Sequence, residues 1–120
     1  MKITSVNENG VQIAVVESDE VLISDIQSAL DFMATVQYET GTNRIALNKS
    51  AVCEEFFDLS TKLAGEILQK FVTYQVKLAI VGDFSVYTSK SLQSFIYESN
   101  RGRGVCFASD QKQALKRLSS

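Results

Sequence analysis

Two short polar segments of this chain carry the residue types that could do chemistry. The first, residues 55–65 (EFFDLSTKLAG), crowds two aromatic rings, an aspartate and two hydroxyls between a predicted strand and a predicted helix. The second, residues 82–85 (GDFS), follows the next apolar strand. Hydroxyls beside the free N–H groups of a helix start can hold or accept a phosphate, and paired carboxylates can bind Mg²⁺. These segments are therefore the candidate functional site.

Eight polar residues in and beside these segments are the candidate binding residues for a protein partner or a phosphate. They are Asp58, Ser60, Thr61, Lys62, Asp83, Ser85, Ser89 and Lys90. Each could instead be an ordinary helix cap, since Ser, Thr and Asp cap helices routinely. Their clustering at one edge of the predicted sheet is what favours a site. Two acids alone do not define a metal site, so no metal, cofactor or catalytic residue is predicted.

The composition excludes several classes of function. The 120 residues include no histidine, which rules out Ser-His-Asp and Cys-His catalysis and any His-ligated zinc. The two cysteines are too far apart in sequence for a metal knuckle, and we expect Cys106 to be buried and Cys53 to be exposed. A formal net charge of −2 argues against a nucleic-acid binder. No glycine-rich phosphate loop is present, so the chain is predicted not to be an enzyme.

Hydrophobic periodicity and turn residues predict the elements that position the two segments. Asn-Gly at residues 9–10 predicts a β-hairpin. The predicted strands cover residues 2–6, 11–16, 44–48, 76–81 and 105–108. The predicted helices cover residues 25–37, with Ser24 as the N-cap, and residues 63–74. Thr88 or Ser89 caps a predicted third helix that ends at residues 100–102, with Gly102 in the left-handed C′ position, and a final helix follows residues 109–110.

This order predicts a single α/β domain over residues 1–120. An N-terminal β-hairpin precedes alternating helices and strands, which implies right-handed crossovers and a mostly parallel sheet with the hairpin at its edge. In such sheets, ligands and partners meet the carboxyl ends of the strands. No apolar run approaches the roughly 18–20 residues that span a bilayer, and no signal peptide is recognised. A cytoplasmic protein without membrane association is therefore predicted.

The order of parts resembles STAS domains, the family of the anti-anti-sigma factors. Residues 45–48 (IALN), 57–61 (FDLST) and 78–82 (LAIVG) are similar to that family's strand, Asp-Ser turn and second strand, and residues 91–118 to its closing helix–strand–helix. The resemblance implies a STAS-like fold and a regulated hydroxyl in the turn. The serine that follows the aspartate in STAS domains is Leu59 here, so Ser60 or Thr61 would have to substitute.

The chain resembles an uncharacterised bacterial family of small proteins more closely still. Four blocks carry this likeness: residues 56–59 (FFDL), 63–71 (LAGEILQKF), 76–84 (VKLAIVGDF) and 95–100 (FIYESN). No established activity comes with it.

Together these features predict a non-catalytic regulatory module, a monomer or homodimer, that binds a protein partner through residues 58–65 and 83–90. The partner, a kinase or other regulator, and its pathway are unknown. The alternative is a small-molecule or nucleotide binder, or a weak enzyme, that uses Asp58, Asp83 and the nearby hydroxyls. A self-associating accessory protein is a third possibility. A deep apolar pocket beneath the loops would favour the alternative, whereas a flat surface with exposed aromatics would favour the partner module.

Overall fold

A five-stranded sheet forms the centre of the molecule, and its strands follow one another in sequence order. The computed structural model describes residues 1–120. The strands are β1 (Lys2–Glu8), β2 (Val11–Glu17), β3 (Arg44–Asn48), β4 (Lys77–Val81) and β5 (Val105–Ala108). The α-helices are α1 (Ile26–Thr40), α2 (Leu63–Thr73), α3 (Lys90–Arg101) and α4 (Gln111–Leu118). None of these helices is long and apolar enough to cross a bilayer.

The strand pairing confirms the predicted α/β architecture. β1 and β2 are antiparallel and meet at Asn9 and Gly10, whose φ angles are 52° and 82°. These left-handed conformations are the ones that Asn-Gly turns adopt in hairpins. β2, β3, β4 and β5 are all parallel to one another, so β1 lies at the edge of the sheet. Asn48 pairs with Val81, which brings the carboxyl ends of β3 and β4 side by side.

The helices divide unequally between the two faces of the sheet. Right-handed crossovers that always step in the same direction place their helices on one face, and α1, α2 and α3 lie there. The larger core on this face includes Ile45 and Leu47 of β3. Ala46 points to the other face, because strand side chains alternate, and it packs in a smaller core with Ala114 and Leu118 of α4.

Two predicted helix ends are wrong by a residue or two. α1 is capped by Asp25, not Ser24, because the Asp25 carboxylate accepts a hydrogen bond from Ser28 N at 2.7 Å and the Ser28 hydroxyl accepts one from Asp25 N at 3.0 Å. The capping box is therefore shifted by one position. At the end of α3, Gly102 has φ −106° and is not left-handed. The positive φ falls on Gly104, at 91°, where the chain turns into β5.

The predicted exposure of both cysteines also needs correction. Cys53 is only 8% exposed, because the segment around it folds back onto the core between the buried residues Val52 and Phe56. Its thiol donates to Ser24 O at 3.7 Å, and burial raises the pKa of Cys53 above its ordinary value. Cys106 is half-buried at the start of the sheet's last strand rather than fully enclosed.

Candidate functional site at the carboxyl edge of the sheet

Two loops leave the adjacent carboxyl ends of β3 and β4, and we name them the β3–α2 loop (residues 49–62) and the β4–α3 loop (residues 82–89). The β3–α2 loop is a series of three 3₁₀ turns, Lys49–Ala51, Glu54–Phe57 and Leu59–Thr61. Buried apolar residues, among them Phe56 and Phe57, anchor these turns to the core. The polar residues between the anchors consequently face solvent at fixed positions.

Each loop contains one Asp-x-Ser turn of the same geometry. Asp58 Oδ1 accepts hydrogen bonds from Ser60 N at 3.1 Å and from Ser60 Oγ at 2.6 Å. Asp83 Oδ1 accepts the equivalent pair from Ser85, with the backbone N–H at 2.9 Å. The serine hydroxyl and then its backbone N–H lower the pKa of each aspartate. The two carboxylates are therefore ionised acceptors that their own serines already engage.

An aromatic cluster, Phe57, Phe84 and Tyr87, joins the two loops. Phe57 stacks on Tyr87 with ring centroids 5.1 Å apart, and its ring lies 5.9 Å from Phe84. Lys49 lies over all three rings, with its Nζ 4.6 Å from the Tyr87 centroid, 5.8 Å from Phe57 and 5.9 Å from Phe84. The same ammonium donates to Asp83 O at 3.3 Å. Cation–π attraction and a hydrogen bond thus hold the loops together.

Gly82 makes room for this arrangement. A Cβ at Gly82 would lie 2.6 Å from Lys49 Cβ, so only glycine lets the lysine stem pass close to the end of β4. On the far side of the cluster, the Tyr87 hydroxyl donates to Glu54 Oε2 at 3.2 Å. Burial raises the pKa of Tyr87, and Lys49 opposes that rise. The phenol therefore stays a neutral donor to Glu54.

The structure places all eight candidate binding residues on the exposed surface of this edge. Several of them cap a helix or a turn, which is the alternative to ligand binding that the sequence also allowed. Thr61 Oγ1 donates to Glu55 O at 2.9 Å and accepts from Leu63 N at 3.3 Å. Lys62 takes φ 64° directly before α2, and Ser89 Oγ accepts from Leu92 N at 3.2 Å to cap α3. Lys90 is the first residue of α3.

The loops come together mainly through residues that were not in the predicted set. Lys49, Glu54, Phe57, Phe84 and Tyr87 make the contacts between them, and Asp83 joins through its carbonyl oxygen. The hydrogen bonds of the Asp58 and Asp83 side chains stay within their own turns. No group of three or more Cys, Asp or Glu side chains is arranged to hold a metal ion.

Two depressions lie at this edge. One, of about 360 Å³, is lined by Lys49, Glu54 and Gly82, and Val81 is its single hydrophobic residue. The other, of about 240 Å³, lies on the α4 side of the sheet. There Asn48 accepts from Ser18 N at 2.9 Å and donates to Ser18 O at 2.8 Å, which ties β3 to the end of β2. This second groove could not be predicted from the sequence, because its residues are distant along the chain.

Comparison with known proteins places the chain in a family. Residues 8–118 match the model of a domain of unknown function, DUF4180. The comparisons with curated proteins and with solved structures found no match. The match agrees with the resemblance to an uncharacterised family and gives no link to STAS domains. Because it covers nearly the whole sequence, this chain belongs to the DUF4180 family.

Proposed function

We propose that this chain is a non-catalytic module that receives a protein partner on the carboxyl edge of its sheet. The observation that carries the proposal is the joining of the β3–α2 and β4–α3 loops by Lys49 and the aromatic cluster. This joining fixes a contiguous surface of charged and hydroxyl side chains. Val86, an apolar side chain that is 61% exposed, lies within it. A rigid surface loses little conformational entropy on binding, which favours recognition of a macromolecule.

The electrostatics of the two aspartates support binding rather than acid–base catalysis. A carboxylate that exchanges protons during a reaction works best with a pKa raised towards the operating pH. The pKa values of Asp58 and Asp83 are instead lowered by their serines.

A STAS-like regulation of this surface is part of the proposal, and Ser60 is the residue on which it would act. Ser60 is exposed, and its hydroxyl makes one hydrogen bond, to Asp58. The Thr61 hydroxyl is held by the backbone on both sides. A phosphate on Ser60 would add roughly −1.5 to −2 charges beside the Asp58 carboxylate and break that turn. We place this regulation in the bacterial cytoplasm, with the chain acting as a monomer or homodimer.

Site-specific photo-cross-linking in the native host tests the partner surface. A photoreactive residue at position 86 should form a cross-linked adduct, whereas one at position 38 should not. Tyr38 is 90% exposed but lies near the end of α1, at the other edge of the sheet. Mass spectrometry then identifies the partner, and the purified pair gives a dissociation constant.

Matched charge variants decide whether the cross-link reports a real interface. Val86→Asp should weaken the purified complex at least about tenfold, or about 1.4 kcal/mol, whereas Tyr38→Asp should leave it unchanged. Equal cross-linking at both positions, or equal effects of both variants, would contradict the proposal. Intact mass of the chain from its host tests the regulation, because a phosphorylated species must disappear in Ser60→Ala.

A further inference from the structure

A pocket with a strongly basic lining lies at the opposite, amino edge of the sheet. It has a volume of about 150 Å³ and is formed where β4 and β5 begin and where α3 and α4 end. Its side chains include Lys77, Arg103 and Arg117, together with Asn100 and Cys106, and no acidic side chain lines it. Three cations therefore converge on one small space in a chain whose formal net charge is −2.

The fold explains only part of this convergence. Lys77 Nζ donates to Ser120 O at 3.1 Å, and Arg44 donates to Leu118 O, so these two cations stabilise the negative end of the α4 dipole. The Nε of Arg117, in contrast, is buried and has no hydrogen-bond partner. A buried donor left unsatisfied destabilises a protein, and more so when it is charged. Arg117 makes no side-chain hydrogen bond within the protein, so its guanidinium can bind a group that enters the pocket.

The neighbouring residues are suited to an anion. Asn100 uses its side-chain oxygen to accept from Phe107 N at 2.7 Å, so its amide NH₂ is not used in that bond. Burial raises the pKa of the Cys106 thiol, while Arg117 and Lys77 oppose the rise. The positive field of both cations therefore reaches the interior of the pocket. Arg103 adds an exposed guanidinium at its entrance.

We propose that Lys77, Arg103 and Arg117 form a binding site for a single phosphate group, either as inorganic phosphate or at the end of a small phosphomonoester. Guanidinium groups bind phosphate oxygens through two parallel N–H···O bonds, which suits a pocket lined by two arginines. The volume is below the roughly 300–1,000 Å³ of pockets that enclose drug-sized ligands. The pocket therefore takes the anionic group itself, and any larger remainder of the ligand lies outside.

NMR titration of the purified chain with inorganic phosphate, methyl phosphate and chloride tests this site. All three series are run at matched ionic strength, because screening alone alters exposed cations. The resonance of Arg117 Nε–H should shift and saturate with either phosphate compound but not with chloride. The compound with the lower dissociation constant shows whether the site prefers inorganic phosphate or a phosphomonoester. Either preference supports the site.

Arg103→Gln tests the site, and Arg101→Gln is the matched control. Arg103→Gln removes a cation at the entrance and should weaken phosphate binding at least about tenfold, equivalent to about 1.4 kcal/mol. Arg101→Gln removes a nearby cation that stacks on Tyr97 outside the pocket, and it should leave the affinity unchanged. Both positions are exposed, so neither change endangers folding. A shift no larger with phosphate than with chloride, or equal weakening in both variants, would overturn the proposal.

Discussion

Replacing Gly104 by alanine tests how the chain enters β5. Gly104 is buried and has φ 91°, and a Cβ there would lie 2.9 Å from Val72 Cγ2 and 3.4 Å from Leu68 Cδ1. Gly102, two residues earlier in the same turn, has φ −106° and would place its Cβ no closer than 3.6 Å to Glu98 O. The turn therefore has no room for a side chain at Gly104 but can accept one at Gly102.

The expected destabilisation of Gly104→Ala combines three effects. A left-handed backbone costs an L-residue about 1–2 kcal/mol. Forcing a methyl group between the buried backbone of Gly104 and the side chains of Val72 and Leu68 costs a further ~1–3 kcal/mol. The alanine chain also loses less entropy on folding, which returns about 0.4–1 kcal/mol. We expect a net loss of about 2–3 kcal/mol in the free energy of unfolding. Gly102→Ala meets no clash and should stay within about 1 kcal/mol of the wild type.

Urea unfolding followed by circular dichroism measures both variants on the same scale. At about 4 °C per kcal/mol for a domain of this size, Gly104→Ala should also lower Tm by roughly 8–12 °C. Equal m-values would show that the variants unfold over the same surface. A Gly104→Ala chain as stable as the wild type, or a larger loss in Gly102→Ala, would refute this reasoning about the turn.

Two further predictions concern the carboxyl edge. Lys49→Met should destabilise the fold by about 0.5–2 kcal/mol in urea unfolding, because the cation–π contact is lost. The same variant should raise the Tyr87 pKa further in a phenolate absorbance titration, because Lys49 holds that pKa down. Lys49→Arg keeps the positive charge and should change the stability and the Tyr87 pKa much less. Ser60→Ala should raise the pKa of Asp58 and leave that of Asp83 unchanged by carboxyl NMR titration. Because a lowered pKa stabilises the fold above the unfolded-state value, the stability difference of Ser60→Ala should vanish as pH falls through the pKa of folded Asp58.

The sheet can be predicted from the sequence because each strand and turn is specified by its own residues. Apolar runs at β3 and β4 and the turn residues at 9–10 specify their own elements, and the alternation of strands and helices then limits the topology. The capping of α1 could be predicted only approximately. Ser24 and Asp25 are both good N-caps, and the choice between them depends on which side chain reaches Ser28 N.

The residues that join the two loops could not be predicted in the same way. Lys49 and Gly82 are brought together by the pairing of β3 with β4, and nothing in either residue's own neighbourhood encodes the 2.6 Å approach. The same holds for the Nε of Arg117, whose burial depends on how α4 packs over the sheet. Exposure of Cys53 was predicted wrongly because polar neighbours conceal the apolar anchors that carry it inward.

The two proposed sites are separated by the length of β4. This strand begins at Lys77 in the basic pocket and ends at Val81, next to Gly82 and the joined loops. Four steps of about 3.3 Å span roughly 13 Å, which exceeds the Debye length of about 8 Å at physiological ionic strength. Charge changes at one edge are therefore largely screened at the other. Substitutions this far apart without shared partners act independently, so Arg103→Gln should alter phosphate affinity without altering the partner surface. The two proposals can consequently fail separately.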